Sequence, residues 1–539
     1  MAGHNVKVYA LLGLVIIFLI VIIYVATKPN CPKGTFCKGA VAADNANCSK
    51  IGLNILIQGG SAVDAAIAAL LCTSIMNPQS AGIGGGAIFT IMDKSGKVTI
   101  INSRETAPSS VKPDLLKSCA EKKSEENGSK WIGVPGEIRG YELAHKLYGK
   151  LNWKDLFTTT IKLAREGFHI PLVLYSYLPE INETESLRKL FSYENGTLKT
   201  TRDIIKFEKL ADTLELIANK GPDAFYTGSI AEDLQKVTGG NLTLKDFESY
   251  KATVTDAWVV NVGKYQEYKM YIPPPPSGGP LLSFVLNFMT AYKNEPAPQS
   301  VEFYDRYIKA LKRANKLKKC IRDPNFAPPE FEQKAKEMTT ISAAENIQDN
   351  CTLSSNKIDN SHQSMGTTHV SAVDQYGTFV AVTSSINSIF GSKVYSPNTG
   401  IILNNQLLDF CNRSIDKISP GERPPSSMAP VVLKSKSKTL VIGASGGSMI
   451  TTGIASALIN HLWFGKSLKE AIDARVVYVD PNNKANLEPS FDNALIKELE
   501  GRFHELGNKF YNVVNAVEKK DGCISAESDD RKLGEAAGY

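Results

Sequence analysis

Two apolar runs in the second half of the chain predict a β-hairpin. The runs Thr367–Asp374 and Thr378–Ile386 are rich in β-branched residues, and Gln375-Tyr376-Gly377 lies between them. β-Branched residues favour strands, and a glycine in a short connecting loop is typical of a hairpin. The polar run 354–365, which has no hydrophobic period, leads directly into the first strand. We therefore expect a buried hairpin that is entered from an exposed polar segment.

The rest of the chain mixes helical and strand patterns. Ser61 is followed three residues later by Asp64 and then by an Ala/Leu-rich run, which predicts a capped helix that ends near Ile75. Residues 135–254 are mostly helical in pattern, and Pro273–Pro276 is expected to be extended. Further strands and helices are predicted at Ala87–Met92, Lys97–Asn102, Leu281–Tyr292, Thr439–Ile442 and from Ile450. The polar run before Thr367 divides one body into two pieces rather than separating two domains.

The N-terminal segment carries the longest apolar run of the chain. Val8–Thr27 holds twenty positions without a charge. At about 1.5 Å per residue the run spans roughly 30 Å, enough for one membrane crossing. A cleaved signal peptide is the alternative, but its apolar core is normally about 7 to 15 residues, and Tyr24–Lys28 makes a poor cleavage site. We expect a cytoplasmic tail at 1–7, a transmembrane signal anchor at 8–27 and the body of the protein beyond it.

Glycosylation triplets and cysteines favour an extracellular body. Loop Asn-x-Ser/Thr triplets are glycan acceptors in secreted proteins. Such triplets begin at Asn47, Asn127, Asn182, Asn195, Asn241, Asn350 and Asn412. The nine cysteines include no C-x-x-C pair and no Cys/His cluster with zinc spacing, so disulfides are favoured over a metal site. An odd count leaves at least one cysteine unpaired within the monomer. The predicted location is the plasma membrane, as a single-pass type II protein.

Composition excludes some classes of partner. The chain has 539 residues, 43% apolar and 22% charged, with a net charge of only +6. The densest basic run, Lys309–Arg322, has helical spacing and predicts a solvated helix face, so nucleic acid is not an expected partner. The glycine cluster Gly82–Gly86 precedes a strand and lacks the Lys-Ser/Thr of a phosphate loop, so no nucleotide, metal or other cofactor is predicted.

The junction Gly366-Thr367 suggests a self-cleaving chain with a threonine nucleophile. A threonine hydroxyl needs a base to take its proton, and an N-terminal α-amine can be that base. The pKa of a free α-amine is roughly 8, close to physiological pH. Cleavage between Gly366 and Thr367 would create that amine. Taken alone, a Gly-Thr-Thr before a strand is more often a simple hairpin cap.

A second possible nucleophile is Ser445. The segment Gly443–Gly447 fits G-x-S-x-G, follows a predicted strand and precedes a predicted helix, as a serine α/β-hydrolase elbow requires. Asp480 and His504 follow in the order that such an enzyme uses. Against this reading, little chain remains after Ser445, and Gly/Ser-rich turns are common between strands and helices.

Several longer blocks resemble the γ-glutamyltransferase (glutathione hydrolase) family of N-terminal nucleophile hydrolases, from Cys48 to the C-terminal Tyr539. The blocks are Gly59–Gly86, Ser103–Pro108, Pro135–Tyr141, Thr367–Asp409, Pro425–Met428, Gly443–Thr452 and Gly534–Tyr539. The resemblance implies an α+β fold, a four-layer αββα sandwich. It also implies a large subunit at 28–366 and a small catalytic subunit at 367–539, which form a heterodimer from one precursor.

The resemblance assigns roles to individual residues. Thr367 would be the nucleophile, Ser385 would orient it, and the backbone N–H groups of Gly446 and Gly447 would form an oxyanion hole. Arg104, Ser426 and Ser427 would hold the α-carboxylate of a γ-glutamyl group, while Asn387, Gln406 and Asp409 would hold its α-ammonium. Cys48 and Cys72 match a family disulfide.

Two positions depart from many animal members of this family. Gln406 stands where they have glutamate and Leu408 where they have a second aspartate, so only Asp409 brings a full negative charge to the ammonium. Other segments, such as Val394–Pro397 and Leu407–Asp409 with Cys411, look closest to the leukotriene-cleaving branch.

The resemblance implies a complete reaction. Thr367 would attack the γ-carbonyl of glutathione or of a glutathione conjugate such as leukotriene C4 and expel a cysteinylglycine portion. Water, an amino acid or a dipeptide then resolves the γ-glutamyl ester. A catalytically silent receptor or adhesion ectodomain is the alternative of another class, and self-cleavage discriminates between them.

Overall fold

The computed structural model of the protein describes residues 31–120, 128–291, 296–347, 351, 365–412, 417–489, 491–502, 506–507 and 513–539. The predicted anchor at 8–27, Asn127, Asn350, His504 and nearly all of the run 354–365 lie outside these residues. Within the described ranges, no helix is both long and apolar enough to cross a membrane.

The strands are numbered in chain order. They are β1 (Ala40–Ala42), β2 (Gly86–Met92), β3 (Val98–Ser103), β4 (Phe168–His169), β5 (Ile204–Ile205), β6 (Thr253–Asp256), β7 (Trp258–Val262), β8 (Tyr268–Ile272), β9 (Gly366–Val373), β10 (Phe379–Asn387), β11 (Val431–Lys434), β12 (Lys438–Ser445), β13 (Val477–Val479), β14 (Ala485–Leu487), β15 (Leu506–Gly507), β16 (Val513–Lys520), β17 (Cys523–Ser528) and β18 (Ala537–Gly538).

The helices are numbered in the same way. They are α1 (Ala46–Ile57), α2 (Ala62–Met76), α3 (Glu137–Tyr148), α4 (Asp155–Glu166), α5 (Leu172–Tyr177), α6 (Glu185–Leu190), α7 (Glu208–Lys220), α8 (Asp223–Tyr226), α9 (Ser229–Val237), α10 (Leu244–Ser249), α11 (Gly279–Thr290), α12 (Val301–Leu317), α13 (Pro329–Glu337), α14 (Ile341–Asn346), α15 (Ile450–Leu458), α16 (Leu468–Ile472) and α17 (Asn493–Gly501).

The predicted hairpin is confirmed and forms the centre of one sheet. Strands β9 and β10 pair antiparallel, with Thr367 opposite Ser385 and Val373 opposite Phe379. The connecting turn is closed by Asp374, whose Oδ1 accepts the backbone N–H of Thr378 at 2.9 Å. Gly377 has φ 89°, a conformation that glycine adopts without steric cost. Every residue of both strands is buried.

Two sheets stack face to face in the described part of the chain. One has the order β18-β1-β9-β10-β2-β3-β6, and the other has the order β17-β16-β12-β11-β8-β7. Small and β-branched side chains fill the space between them, among them Ala42, Ala381, Val441 and Val517. The small side chains on both inner faces let the two sheets pack closely against each other.

Helices cover the two outer faces. The outer side of the first sheet packs against α1, α2, α4 and α7, and Phe89, Val370 and Val380 belong to that core. The outer side of the second sheet packs against α11, α12 and α15. The structure is therefore a helix–sheet–sheet–helix sandwich, the α+β arrangement expected from the sequence.

Most of the predicted strands and helices are confirmed, and most of their boundaries agree to within two residues. Ser61 and Asp64 form a reciprocal capping box at the start of α2. Lys309, Lys312, Arg313 and Lys316 of the basic run lie on α12, whose buried face is apolar. The expectation of a solvated helix face is wrong for Arg322, which lies beyond the helix, is buried and pairs with Glu422. The expectation of an extended run at Pro273–Pro276 is wrong in its second half, because Pro275 and Pro276 form a turn with a cis peptide bond between them.

Four disulfides cross-link the described chain. The predicted Cys48–Cys72 bond is confirmed and joins α1 to α2. The other pairs are Cys31–Cys523, Cys119–Cys411 and Cys320–Cys351. Cys37 is exposed and unpaired, in keeping with the odd number of cysteines.

Candidate active site

Thr367 lies at the start of β9, and its side chain faces Ser385 across the hairpin. Only 1% of Thr367 is exposed. Its Oγ1 is 3.1 Å from the Ser385 Oγ, and that Oγ donates to the Gly366 carbonyl oxygen at 2.8 Å. Ser385 has a single hydroxyl hydrogen, and the Gly366 carbonyl receives it. The Thr367 hydroxyl is therefore the donor in its contact with Ser385.

The backbone around this cluster is tightly constrained. The pairing of β10 with β9 shifts register between Ser385 and Asn387, and Asn387 has φ 77°. Its backbone N–H donates to the Ser385 Oγ at 3.0 Å. A Cβ added to Gly366 would lie 2.1 Å from the Ser388 carbonyl oxygen. A glycine is therefore required before Thr367, and the bulge aims the Ser385 hydroxyl at the junction.

Arg104 and Asp409 form a second cluster. The Arg104 side chain is fully buried, and its Nη2 donates to Asp409 Oδ2 at 2.5 Å. Gln406 Nε2 donates to the same oxygen at 2.9 Å. Arg104 Nε and Nη2 also donate to the carbonyl oxygens of Pro424 and Pro425. Because the arginine is buried and its fork is oriented by three hydrogen bonds, its contact with Asp409 is not an ordinary surface ion pair.

Three polar atoms in these two clusters are buried and have no partner in the described part of the chain: Arg104 Nη1, Gln406 Oε1 and Asn387 Oδ1. Such atoms are costly unless a ligand or water satisfies them. One is a cationic donor and two are acceptors, which together suit a ligand with both a carboxylate and an ammonium. Asn387 Nδ2 donates to the carbonyl oxygen of Asn405, the residue before Gln406, and so joins the two clusters.

Ser426 and Ser427 lie beside Arg104, in the segment whose Pro424 and Pro425 carbonyls accept from the arginine. The Ser426 hydroxyl accepts the backbone N–H of Met428 at 3.0 Å. The Ser426 N–H donates to the Pro276 carbonyl oxygen at 2.7 Å, so the loop is fixed against the proline segment. Ser426 is buried and Ser427 is half-buried.

Gly446 and Gly447 follow β12, the strand that faces β9 across the sandwich. Ser371 Oγ donates to the Val441 carbonyl oxygen at 3.3 Å, and Gly443 packs on the ring of His369. Ser371 thus faces Val441 and His369 faces Gly443, so the next pair in this register places Thr367 near Ser445. Gly446 and Gly447 directly follow Ser445 and therefore lie at the end of β12 that is nearest to Thr367. Their φ values, 118° and 58°, are accessible to glycine at little cost.

The structure does not favour Ser445 as a nucleophile. An elbow serine presents its Oγ at the surface of a sharp turn. Ser445 instead lies within β12, is fully buried, and its Oγ has no partner among the described residues. His504, the base that this hypothesis requires, lies outside the described residues.

A buried ion pair behind Thr367 was missed by the sequence analysis. Lys532 Nζ donates to Asp44 Oδ2 at 2.6 Å and to the Thr367 carbonyl oxygen at 2.9 Å. Asp44 Oδ2 also accepts from the Thr368 hydroxyl at 2.7 Å. Asp44 and Lys532 are 488 positions apart, so no local pattern could have paired them.

Two buried carboxyl groups lie near Arg104. Burial raises the pKa of Glu105 to about 8, against the lowering effect of the Arg104 charge. Burial likewise raises the pKa of Glu137 to about 7, although its Oε1 accepts from the Tyr141 hydroxyl at 2.6 Å. Glu105 is therefore largely protonated at neutral pH and Glu137 is about half protonated, so the positive charge of Arg104 is balanced chiefly by Asp409.

The chain is similar to known proteins in both sequence and fold. The family model for gamma-glutamyltranspeptidase matches residues 48–539. Glutathione hydrolase 5 proenzyme of Mus musculus is 38% identical over 577 aligned positions, covering 100% of both chains. Its Homo sapiens counterpart is 39% identical and covers 96% of both chains. A cephalosporin acylase from Bacillus halodurans superimposes with a TM-score of 0.83 over 95% of this chain and 97% of its own, at 22% identity, and shares the fold.

Proposed function

Because the chain belongs to the gamma-glutamyltranspeptidase family, we propose that it cleaves the γ-glutamyl bond of glutathione and of glutathione S-conjugates, with Thr367 as the nucleophile. The full-length similarity to glutathione hydrolase 5 agrees with the branch expected from the sequence and supports this substrate class. The observation that carries the site assignment is the hydrogen bond from Ser385 to the Gly366 carbonyl, with the Thr367 hydroxyl held beside it.

The same contacts support self-cleavage at Gly366-Thr367. Thr367 Oγ1 attacks the Gly366 carbonyl carbon, and the carbonyl oxygen gains negative charge, which the Ser385 hydroxyl stabilises. The Gly366–Thr367 amide becomes an ester as the C–N bond breaks and the nitrogen gains a proton. Water then hydrolyses the ester and leaves a free carboxylate on Gly366 and a free amine on Thr367. The relatives from Mus musculus and Homo sapiens are named proenzymes, which agrees with such processing.

After cleavage the new α-amine of Thr367 serves as the base for catalysis. Oγ1 attacks the γ-carbonyl carbon of the substrate, and the cysteinylglycine amine leaves with a proton. The γ-glutamyl ester on Thr367 is then resolved by water, or by the amine of an amino acid or dipeptide. The N–H groups of Gly446 and Gly447 lie at the matching strand end and would stabilise the oxyanion, a contribution of about 3–4 kcal/mol per donor.

The unpaired buried atoms support the recognition of a γ-glutamyl group. Arg104 Nη1 donates to the α-carboxylate, with Ser426 and Ser427 adding hydroxyl donors from the loop beside it. Gln406 Oε1, Asn387 Oδ1 and the Asp409 carboxylate accept from the α-ammonium. Three of these contacts, those of Arg104 Nη1, Gln406 Oε1 and Asn387 Oδ1, give a partner to a buried polar atom that has none in the described part of the chain, so they offset the cost of burying it.

Leu408 adds no polar atom to this recognition. Its side chain is buried in an apolar cluster with Leu407, Phe410 and Cys411. With Gln406 neutral as well, Asp409 supplies the full negative charge at this position, and it also pairs with Arg104. We expect this site to bind the α-ammonium more weakly than relatives with more acidic residues at these positions. The outgoing half of the substrate would then contribute a larger share of the binding free energy. Leukotriene C4 fits this expectation, because its outgoing half is large and apolar.

The placement of the molecule rests on the sequence. The uncharged run Val8–Thr27 would anchor it as a single-pass type II protein of the plasma membrane, with a cytoplasmic tail at 1–7. The body would be extracellular and glycosylated, and residues 28–366 and 367–539 would form its large and small subunits. Hydrophobic length and the distribution of glycosylation triplets support this placement.

N-terminal sequencing and reduced intact-mass analysis of the deglycosylated protein test the mechanism. Wild type should give two chains, one beginning at Thr367, and should release γ-glutamate from glutathione. Thr367→Ala should stay uncut. Ser385→Ala should slow cleavage about 10²-fold, by the loss of one oxyanion donor, and Ser385→Thr should restore it. Thr378→Ala is the matched control, since Thr378 lies at the other end of the hairpin from the junction, and it should be cut like wild type. An uncut wild-type chain would favour a silent ectodomain, and a cut Thr367→Ala would exclude this nucleophile.

A further inference from the structure

One glycosylation triplet lies in a closed hairpin turn, Tyr193–Thr197. The Gly196 N–H donates to the Tyr193 carbonyl oxygen, and the Tyr193 N–H donates to the Thr197 carbonyl oxygen, both at 2.9 Å. Gly196 has φ 79°, and Ser192 bridges to Leu198 beyond the turn. These features define a type I turn followed by a left-handed glycine, a common way of closing a short hairpin. Asn195 lies at the tip of the turn.

The side chain of Asn195 is available for modification. The residue is exposed, and its Oδ1 accepts the Thr197 N–H at 3.0 Å. The oxygen is the engaged atom, so the amide nitrogen that would carry a sugar takes no part in this bond. By contrast, the amide nitrogen of Asn241 in another triplet donates to Ser129 Oγ at 2.8 Å, and that residue is half-buried.

Tyr193 presents an aromatic ring beside this asparagine. Tyr193 and Thr197 are cross-strand partners in the turn, so their side chains share one face of it. Tyr193 is 48% exposed, and its hydroxyl donates to Asp203, which fixes the ring while leaving much of it uncovered. The C–H groups on one face of a pyranose ring pack favourably on the negative face of an aromatic ring.

The other triplets lack this arrangement. Only Asn195 and Asn412 have an aromatic residue two positions before the asparagine, Tyr193 and Phe410. Phe410 is 1% exposed, because it packs in the apolar cluster around Cys411, and it has no free face to offer a sugar. The Tyr193 turn therefore combines an accessible acceptor nitrogen with an accessible ring.

We propose that Asn195 carries an N-linked glycan whose first N-acetylglucosamine packs on the Tyr193 ring, and that this contact holds the Tyr193–Thr197 turn closed. The sugar comes from a lipid-linked pyrophosphate donor. Asn195 Nδ2 loses a proton and forms a bond to C1 of the sugar, while the bond between C1 and the pyrophosphate oxygen breaks. The inference rests on the extracellular placement of the body given under Proposed function.

The turn is connected to the loop that follows β10. The Lys199 N–H donates to the Phe191 carbonyl oxygen at 2.8 Å, at the base of the same hairpin. The Phe191 ring is buried and packs on Phe390 with 5.9 Å between the ring centroids. Phe390 is three residues after Asn387. A glycan that keeps the turn closed would therefore stabilise the position of Phe191, which packs on the loop next to the active site.

The test is glycopeptide mass spectrometry together with amide hydrogen exchange of residues 191–199, on the full chain made in animal cells. Asn195 should be occupied. Thr197→Val, which removes the triplet but keeps the Asn195 side chain, and Tyr193→Leu should each raise the exchange rates of the Tyr193 and Gly196 amides about three- to tenfold, the range for the loss of one aromatic contact. Trimming the glycan to its first sugar should leave these rates unchanged, since only that sugar touches the ring.

Matched variants separate the sugar contact from general damage. Tyr193→Phe removes the bond to Asp203 but keeps the ring, and should retain protection. Asn182→Gln removes the triplet that has Glu180 two positions earlier, and should not affect residues 191–199. The double variant Thr197→Val/Tyr193→Leu should exchange no faster than either single variant, because both changes remove the same contact between the sugar and the ring.

The outcomes that overturn the inference are distinct. Asn195 empty while other triplets carry glycans would overturn it alone. Occupied Asn195 in the wild type with unchanged exchange in Thr197→Val would overturn the packing contact. A protein bare at every triplet would overturn the extracellular placement together with the inference, whereas an uncut or inactive protein with a protected, glycosylated turn would overturn only the proposed mechanism.

Discussion

In the uncut chain, the Ser385 hydroxyl donates its one hydrogen to the carbonyl oxygen of Gly366, the group that is attacked in the proposed self-cleavage. Cleavage removes Gly366 from the end of β9, so the same hydrogen becomes available to Thr367 or to the substrate. One residue can thus serve maturation and later orient the nucleophile. Serine at this position supplies the hydroxyl group that both steps require.

The buried carboxyl of Glu105 predicts a pH-dependent stability. Its pKa of about 8 in the folded protein lies above the ordinary value of 4.5. Between these values the folded state holds a proton that the unfolded state has lost, so the free energy of unfolding falls as pH rises, by up to about 1.4 kcal/mol per pH unit. Glu105→Gln, a neutral isostere, should therefore flatten the decline of the melting temperature between pH 5.5 and 8.5.

Thermal unfolding at several pH values checks this expectation. Glu183→Gln, a change to an exposed carboxyl group, is the control and should leave the wild-type slope unchanged. Glu137→Gln should flatten part of the same decline, because burial raises the pKa of Glu137 to about 7. If Glu105→Gln melted with the same dependence on pH as wild type, Glu105 would not be protonated in the folded protein.

At the scale of elements, Lys532 connects the C-terminal turn Asp530–Lys532 to the β9–β10 hairpin through hydrogen bonds. Lys532 and Asp44 are fully buried and paired, and Lys532 also bonds the Thr367 carbonyl. Lys532→Met leaves the Asp44 charge buried without its partner, which should cost about 3–5 kcal/mol of unfolding free energy. It should also slow self-cleavage, because the carbonyl of the nucleophile residue loses a donor.

Denaturant unfolding of single and double variants isolates this pair. Lys532→Met/Asp44→Asn should lose less than the sum of the two single variants, since no lone charge remains. Lys469→Ala breaks the exposed pair with Asp530 in the same turn and should cost less than about 1 kcal/mol. Strictly additive losses for Lys532 and Asp44 would show that the pair is not coupled.

The sequence could predict elements whose signals are local. The alternation and turn chemistry of β9–β10 and the capping box of α2 are written in a few neighbouring residues, and the structure confirms both. The layers and the site residues came instead from the resemblance to a family. The turn at Pro275-Pro276 and the pairing of Asp44 with Lys532 depend on contacts between distant segments, and no short-range rule encodes them.

At the scale of the whole molecule, two disulfides span the proposed cleavage point. Cys31–Cys523 and Cys119–Cys411 each join a residue before Gly366 to a residue after Thr367. Cys48–Cys72 and Cys320–Cys351 lie entirely before Gly366. The proposed cleavage would therefore change the first two bonds from links within one chain to links between two subunits, and the small subunit would remain covalently attached after maturation.

Electrophoresis with and without reductant tests this covalent attachment. Mature protein should migrate as one species when denatured without reductant and as two after reduction. Cys31→Ser/Cys523→Ser should still migrate as one, because Cys119–Cys411 alone suffices, and adding Cys119→Ser/Cys411→Ser should release the small subunit. Cys320→Ser/Cys351→Ser is the control and should release nothing. A free small subunit from unreduced wild type would mean that these two bonds do not form, and the interface of the two stacked sheets would then have to hold the subunits together without them.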